Sequence, residues 1–237
     1  MAAPAAGLFV ALIALFTIGV VALARASARL LTRDEPLAGS RGDPLGASHA
    51  SLLVNLSLTH LGIGLVVAAI TWLTQVPFEI LGVGKSPDVL AGVLLGIGIY
   101  AIDEGLGAVV RARGHEEPTM VRELLAPESP AEWLLLLVVV LPIIAVGEEL
   151  LFRGALIGGV ASVTGLSPWL LAIVSSCCFG LAHTAQGSVG IAATAALGLA
   201  LAAGFVLTGN LWLVVIAHYL VNALEFGVHE ALDLNFA

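Results

Sequence analysis

The stretch Trp133 to Gly158, WLLLLVVVLPIIAVGEELLFRGALIG, decides how the rest of the chain is read. Leu134 to Val146 carries no acid or base, Glu148, Glu149 and Arg153 then follow, and Ala155 to Val160 is apolar again. A helix rises about 1.5 Å per residue and needs about 20 residues to cross the hydrocarbon of a bilayer. The stretch is long enough to do so, which puts three charged side chains inside the membrane. Ionisable groups are costly there, so they usually face a bundle interior and have a task.

The same reading extends to both ends of the chain. Of 237 residues, 59% are hydrophobic and only 11% charged, against about a quarter charged in soluble domains. About seven apolar runs approach or exceed the length that marks a spanning helix: Gly7 to Leu31, Ala50 to Leu73, Val89 to Val110, Trp133 to Gly158, Pro168 to His183, Val189 to Leu207 and Leu211 to Val228. The expectation is an all-α, polytopic transmembrane bundle forming a single membrane domain over residues 1–237. Breakers such as Asp34-Glu35-Pro36, Gly42-Asp43-Pro44 and Lys85-Ser86-Pro87 fall between the runs, and no internal repeat stands out. Nothing supports nucleic-acid binding; the partner implied by composition is the lipid bilayer.

Basic residues are enriched in cytoplasmic loops. Arg25, Arg29, Arg33 and Arg41 cluster at the end of the first run, Arg111, Arg113 and Arg122 follow the third, and Lys85 alone lies between the second and third. Odd spans then end inside, giving an external N-terminus and a cytoplasmic C-terminus in the cell membrane. Ala24 to Ala28 imitates a signal-peptide cleavage site, but no basic region precedes it and the apolar run is too long. Cys177 and Cys178 are neighbours on one run, pointing about 100° apart, and read as packing residues.

Three polar groups interrupt the C-terminal runs: Gly147 to Gly154 (GEELLFRG), Phe179 to His183 (FGLAH) and His218 to Asn222 (HYLVN). Each has an ordinary structural reading. Glu149 and Arg153 are at i,i+4 spacing and can form an ion pair at a helix end. His183 can cap a helix, and His218 with Asn222 can bond a neighbouring helix, at about 0.6 to 2 kcal/mol in a membrane. Taken together they have a chemical reading. Hydrolysis of a peptide bond without a serine or cysteine nucleophile needs an activated water and donors for the oxyanion. Arg153 occupies Glu149, leaving Glu148 to serve as base with His183 helping to hold the water; His218 and Asn222 can supply the donors. Glu148, His183 and His218 can alternatively hold a zinc ion, whose bound water has a pKa near 7.

The order EExxxR, FxxxH, HxxxN on successive helices resembles the CAAX prenyl protease and bacteriocin-processing (CPBP, or ABI) family of intramembrane endopeptidases. In this chain it runs through Glu148 and Arg153, Phe179 and His183, and His218 and Asn222, and the similar region covers about 132–225. The resemblance implies an all-helical membrane fold with catalytic Glu148, His183, His218 and Asn222 lining a cavity. Glu149, Arg153 and Phe179 would support them. The implied substrate is a peptide or protein, membrane-anchored or lipidated. Both a zinc-dependent and a metal-free mechanism are compatible with the motif, and Asn222, which has no natural place around zinc, favours the metal-free one. Two other functions would use the same polar residues: a transporter relaying protons through Glu148, Glu149 and His218, with Asp103 and Glu104 contributing, or a non-catalytic scaffold. One conflict stands out. A fourth span starting at Trp133 puts Glu148 about 22 Å along it, whereas a fifth span closing at His183 puts that histidine near the cytoplasm.

Overall fold

The computed structural model describes residues 3–31, 49–113 and 120–232. These form a bundle of helices with no strand among the described residues: α1 (Ala3–Leu31), α2 (His49–Leu73), α3 (Val89–Ala112), a short α4 (Met120–Leu125), α5 (Pro130–Thr164), α6 (Pro168–Ala182), α7 (Gly187–Thr208) and α8 (Leu211–Ala231). Six of them, all but α4 and α6, are long and apolar enough to cross a membrane. With α6, they account for the seven expected runs. The expected positive clusters around Arg33 and Arg41 lie outside the described residues.

Both ends of the fourth run differ from the sequence reading, and its later end removes the conflict in depth. The fourth run is helix α5, Pro130–Thr164, 35 residues, starting before Trp133 and ending after Gly158. Ser129 begins it by accepting a bond from the Glu132 amide, with Pro130 in the first turn where its missing N–H costs nothing. Gly165, at φ +74°, ends it. The sixteen residues from Glu149 to Thr164 climb about 24 Å, and α6, 15 residues long, descends about 22 Å. His183 therefore arrives level with Glu148. The fifth run does not close at the far interface; it stops partway, beside the carboxylate.

Helix α5 is not uniform. Leu136–Val140 forms a π-helical turn in which the Leu141 amide reaches back to the Leu136 carbonyl, immediately before Pro142. Leu150–Gly159 forms a second π-helical stretch immediately after Glu149. Such turns shift the face on which later side chains emerge and occur often at functional sites.

Small residues let backbones approach. A Cβ on Gly92 or Gly96 of α3 would come within 2.9 Å of α8, at the Leu213 and Ala217 carbonyls, so α3 and α8 cross through a small-xxx-small contact. A Cβ on Gly147 would meet the His60 carbonyl at 2.5 Å. Since 3.0 Å is about the closest a real Cβ comes, only glycine lets α2 lie this near to Glu148. Phe9, Ile13, Val67, Leu151, Phe152, Phe179, Leu201 and Val214 fill the core between these helices.

Candidate active site

Glu148 lies in the middle of α5, 8% exposed, with imidazole rings around it from three other helices. His60 of α2 places Nε2 3.1 Å from Oε1, His183 at the end of α6 places Nε2 3.9 Å from Oε1, and His218 of α8 places Nε2 3.6 Å from Oε2. Only the first is short enough for a good direct hydrogen bond. The structure therefore brings together Glu148, His183 and His218 and adds His60.

Each ring is held from behind. Nδ1 of His60 lies 2.8 Å from the Leu56 carbonyl and Nδ1 of His183 2.8 Å from the Phe179 carbonyl. A carbonyl oxygen only accepts, so both Nδ1 atoms carry the hydrogen and donate. Nδ1 of His218 lies 2.7 Å from Oε1 of Glu149 and donates to that carboxylate. All three rings thus turn Nε2 towards Glu148.

Behind this ring of histidines stands a dry support. Glu149 and Arg153 are both fully buried. Arg153 Nη1 donates to Glu149 Oε1 at 2.8 Å and Nη2 to the Gly198 carbonyl at 2.8 Å. The guanidinium also lies over the Phe179 ring, 4.5 Å from its centre. Phe179 meets His183 at 4.6 Å and His218 edge-on at 5.9 Å, wedging both rings apart. The ordinary reading of Glu149 and Arg153 as an interfacial helix end does not describe this pair, which is sealed inside the bundle and anchors His218.

His218 and Asn222 line a cavity of about 930 Å³ together with His60, Glu148 and His183. Its apolar walls include Phe16 and Val20 of α1, Ile63 of α2, Leu141 of α5 and Phe226 of α8. No group among the described residues hydrogen-bonds the Asn222 amide. Among the lining residues, Arg122 of α4 donates to Glu230 at 2.7 Å and to Glu225 at 2.5 Å, strapping α4 onto the end of α8. Partial burial works against its charge, but the bonds to Glu225 and Glu230 outweigh that and raise its pKa above the usual value. Glu104, which the transporter reading would use, is bonded to buried His229 at 2.7 Å.

Zinc holds nitrogen and oxygen ligands at about 2.0 to 2.2 Å, which gathers them within about 3.5 Å of one another. Among the described residues, the trio whose donor atoms all lie within 4.8 Å of each other is Glu104, Glu225 and His229. Arg122 already holds Glu225 in that trio. Glu148, His183 and His218 are not gathered this closely, so as arranged they do not fit a single zinc ion.

Glu148, His183, His218 and Asn222 all lie within one matched segment. Residues 130–224 match the family model described as type II CAAX prenyl endopeptidase Rce1-like. Over this segment the chain is similar to the CAAX protease family. No curated protein and no solved structure matches the chain. That similarity and the six long apolar helices point to an integral membrane protein. His60 lies on α2, before the matched residues, so neither the motif nor the family match points to it.

Proposed function

We propose that this chain is an intramembrane endopeptidase that cleaves a membrane-anchored or lipidated peptide by direct, Glu148-dependent activation of water. The observation that carries this reading is the orientation of the rings. His183 and His218 are tied at Nδ1 and turn Nε2 towards one buried carboxylate on the wall of a cavity of about 930 Å³.

In the proposed reaction, water gives one hydrogen to Glu148 while the lone pair on His183 Nε2 accepts its other hydrogen, which aims the oxygen at the scissile carbonyl. The new C–O bond leaves an oxyanion. The Asn222 amide donates to it. His218 Nε2, 3.6 Å from Glu148 Oε2, takes over the water proton and becomes a second donor, its added charge facing Glu149 through Nδ1. As the C–N bond breaks, the proton passes from His218 Nε2 to the leaving nitrogen. Pre-aimed donors of this kind in a water-poor site supply much of the rate in acyl transfer. The apolar walls of α1, α2 and α8 suit a lipid chain or a hydrophobic peptide flank.

The decisive test is incubation of purified protein with a library of lipidated and transmembrane peptides, followed by product sequencing. A defined cut made by wild type and not by Glu148→Gln is expected. A folded wild-type protein that cuts nothing would instead favour a transporter or scaffold using the same cavity.

A further inference from the structure

We infer that His60 is a positioning residue for Glu148: it donates from Nε2 to Oε1 and so leaves Oε2 as the oxygen that works on water. The inference rests on Glu148 being the base, and it begins with an imbalance of donors. His60 Nδ1 donates to the Leu56 carbonyl, so a neutral His60 would present a bare lone pair at Nε2. Yet Nε2 lies 3.1 Å from a carboxylate oxygen, which also only accepts. Two acceptors do not sit at that distance without a proton between them.

The charges of the buried centre ask for the same proton. Glu148 and Glu149 bring two negative charges and Arg153 one positive charge, all at most 8% exposed. One further proton, held between His60 and Glu148, makes the set neutral, which burial in a low-dielectric bundle favours. His183 and His218, at 3.9 and 3.6 Å, are too far from Glu148 to bond it directly, whereas His60 is in range. With the proton on His60 the pair is imidazolium and carboxylate, the form in which Glu148 can accept from water.

The geometry then separates the two carboxylate oxygens. Oε1 is engaged by His60, while Oε2 is buried and has no hydrogen-bond partner among the described residues. Oε2 also faces His218, the residue proposed to receive the proton next. The fold protects this arrangement through Gly147, whose missing side chain admits the His60 backbone. His60 itself lines the cavity, so a small molecule can reach its place if the ring is removed.

The test compares wild type, His60→Ala and His60→Gln on a cleaved peptide, with and without added imidazole. His60→Ala should lower kcat about ten- to a hundred-fold, the worth of one hydrogen bond to a charged group, with KM little changed. Imidazole should restore part of that loss in a saturable way. His60→Gln, whose amide can donate to Oε1, should recover most of it. Wild-type kcat in His60→Ala, or a loss that neither imidazole nor glutamine relieves, overturns the inference. Nitrogen-15 spectra of histidine-labelled protein give an answer that needs no activity. Nε2 of His60 should carry a proton in wild type and lose it in Glu148→Gln; an unprotonated Nε2 in wild type also overturns the inference. If wild type cleaves nothing, the peptidase reading fails by itself, and the spectra still decide whether His60 donates to Glu148.

Discussion

His218 and Arg153 share a single oxygen: Oε1 of Glu149 accepts from His218 Nδ1 at 2.7 Å and from Arg153 Nη1 at 2.8 Å. One buried carboxylate therefore neutralises a guanidinium and fixes the tautomer of a ring that faces the cavity. Adjacent carboxylates in the sequence have separate tasks, because helical geometry turns neighbouring side chains about 100° apart.

The two glutamates should thus fail in different ways. Glu148→Gln should leave a folded protein in the membrane and abolish turnover, since an amide cannot take the proton. Glu149→Gln should abolish turnover and also reduce folded yield, because it strands Arg153; removing one member of a buried pair costs about 3 to 5 kcal/mol. Size-exclusion yield in detergent and turnover, measured side by side, check this. Equal yields for the two variants would refute the division of labour.

A contact between α2 and α5 gives the second prediction. Gly147→Ala would place a Cβ 2.5 Å from the His60 carbonyl, and overpacking of this kind costs about 1 to 3 kcal/mol. The expected result is a lower unfolding temperature together with reduced turnover, as α2 is pushed away and His60 leaves Glu148. Gly98→Ala, where a Cβ meets nothing within 4 Å, should change neither. A Gly147→Ala protein with wild-type activity would mean that α2 is not needed close to Glu148.

What the sequence discloses and what it conceals follow from the same physics. Spanning helices are legible because lipid demands long apolar runs, and the Glu149–Arg153 pair is legible because its members are four residues apart. His60 and Glu148 are 88 residues apart, and no local spacing predicts such a contact. A signal did exist: His60 interrupts an apolar run, LSLTHLGI from Leu56 to Ile63, and an intramembrane histidine is a functional candidate by default. The level meeting of Glu148 and His183 was hidden for another reason. It depends on α5 overrunning its expected end at Gly158, while α6 ends at Ala182 much as the sequence suggests, and helix ends leave a weaker mark than helix middles.

Orientation provides a third prediction. Seven basic loop residues fall on one side of the proposed topology and Lys85 alone on the other, so the C-terminus should be cytoplasmic. A reporter that functions only in the cytoplasm, fused after Ala237, should be active. Activity of a reporter that functions only outside would reverse the arrangement, or remove one span from it.

The last prediction separates direct-base from zinc chemistry. If Glu148 acts directly, a strong chelator should leave wild-type turnover nearly unchanged, and Asn222 becomes the informative side chain, since its amide lines the cavity beside His218 with no bond among the described residues. Losing one oxyanion donor costs about 2.7 to 4 kcal/mol in the transition state, so Asn222→Ala should cut turnover about a hundred- to a thousand-fold. KM should change little, because the missing bond forms only as charge develops on the oxygen. A zinc mechanism predicts the reverse pattern: reversible loss of activity on chelation, restored by zinc, with Asn222 of minor importance because an amide has no natural place among zinc ligands. Turnover of wild type and Asn222→Ala, each with and without chelator and at matched folded concentration, discriminates between them. Near-normal turnover in Asn222→Ala, together with zinc-reversible inhibition of wild type, would show that the histidines draw closer around a metal than they stand in this structure.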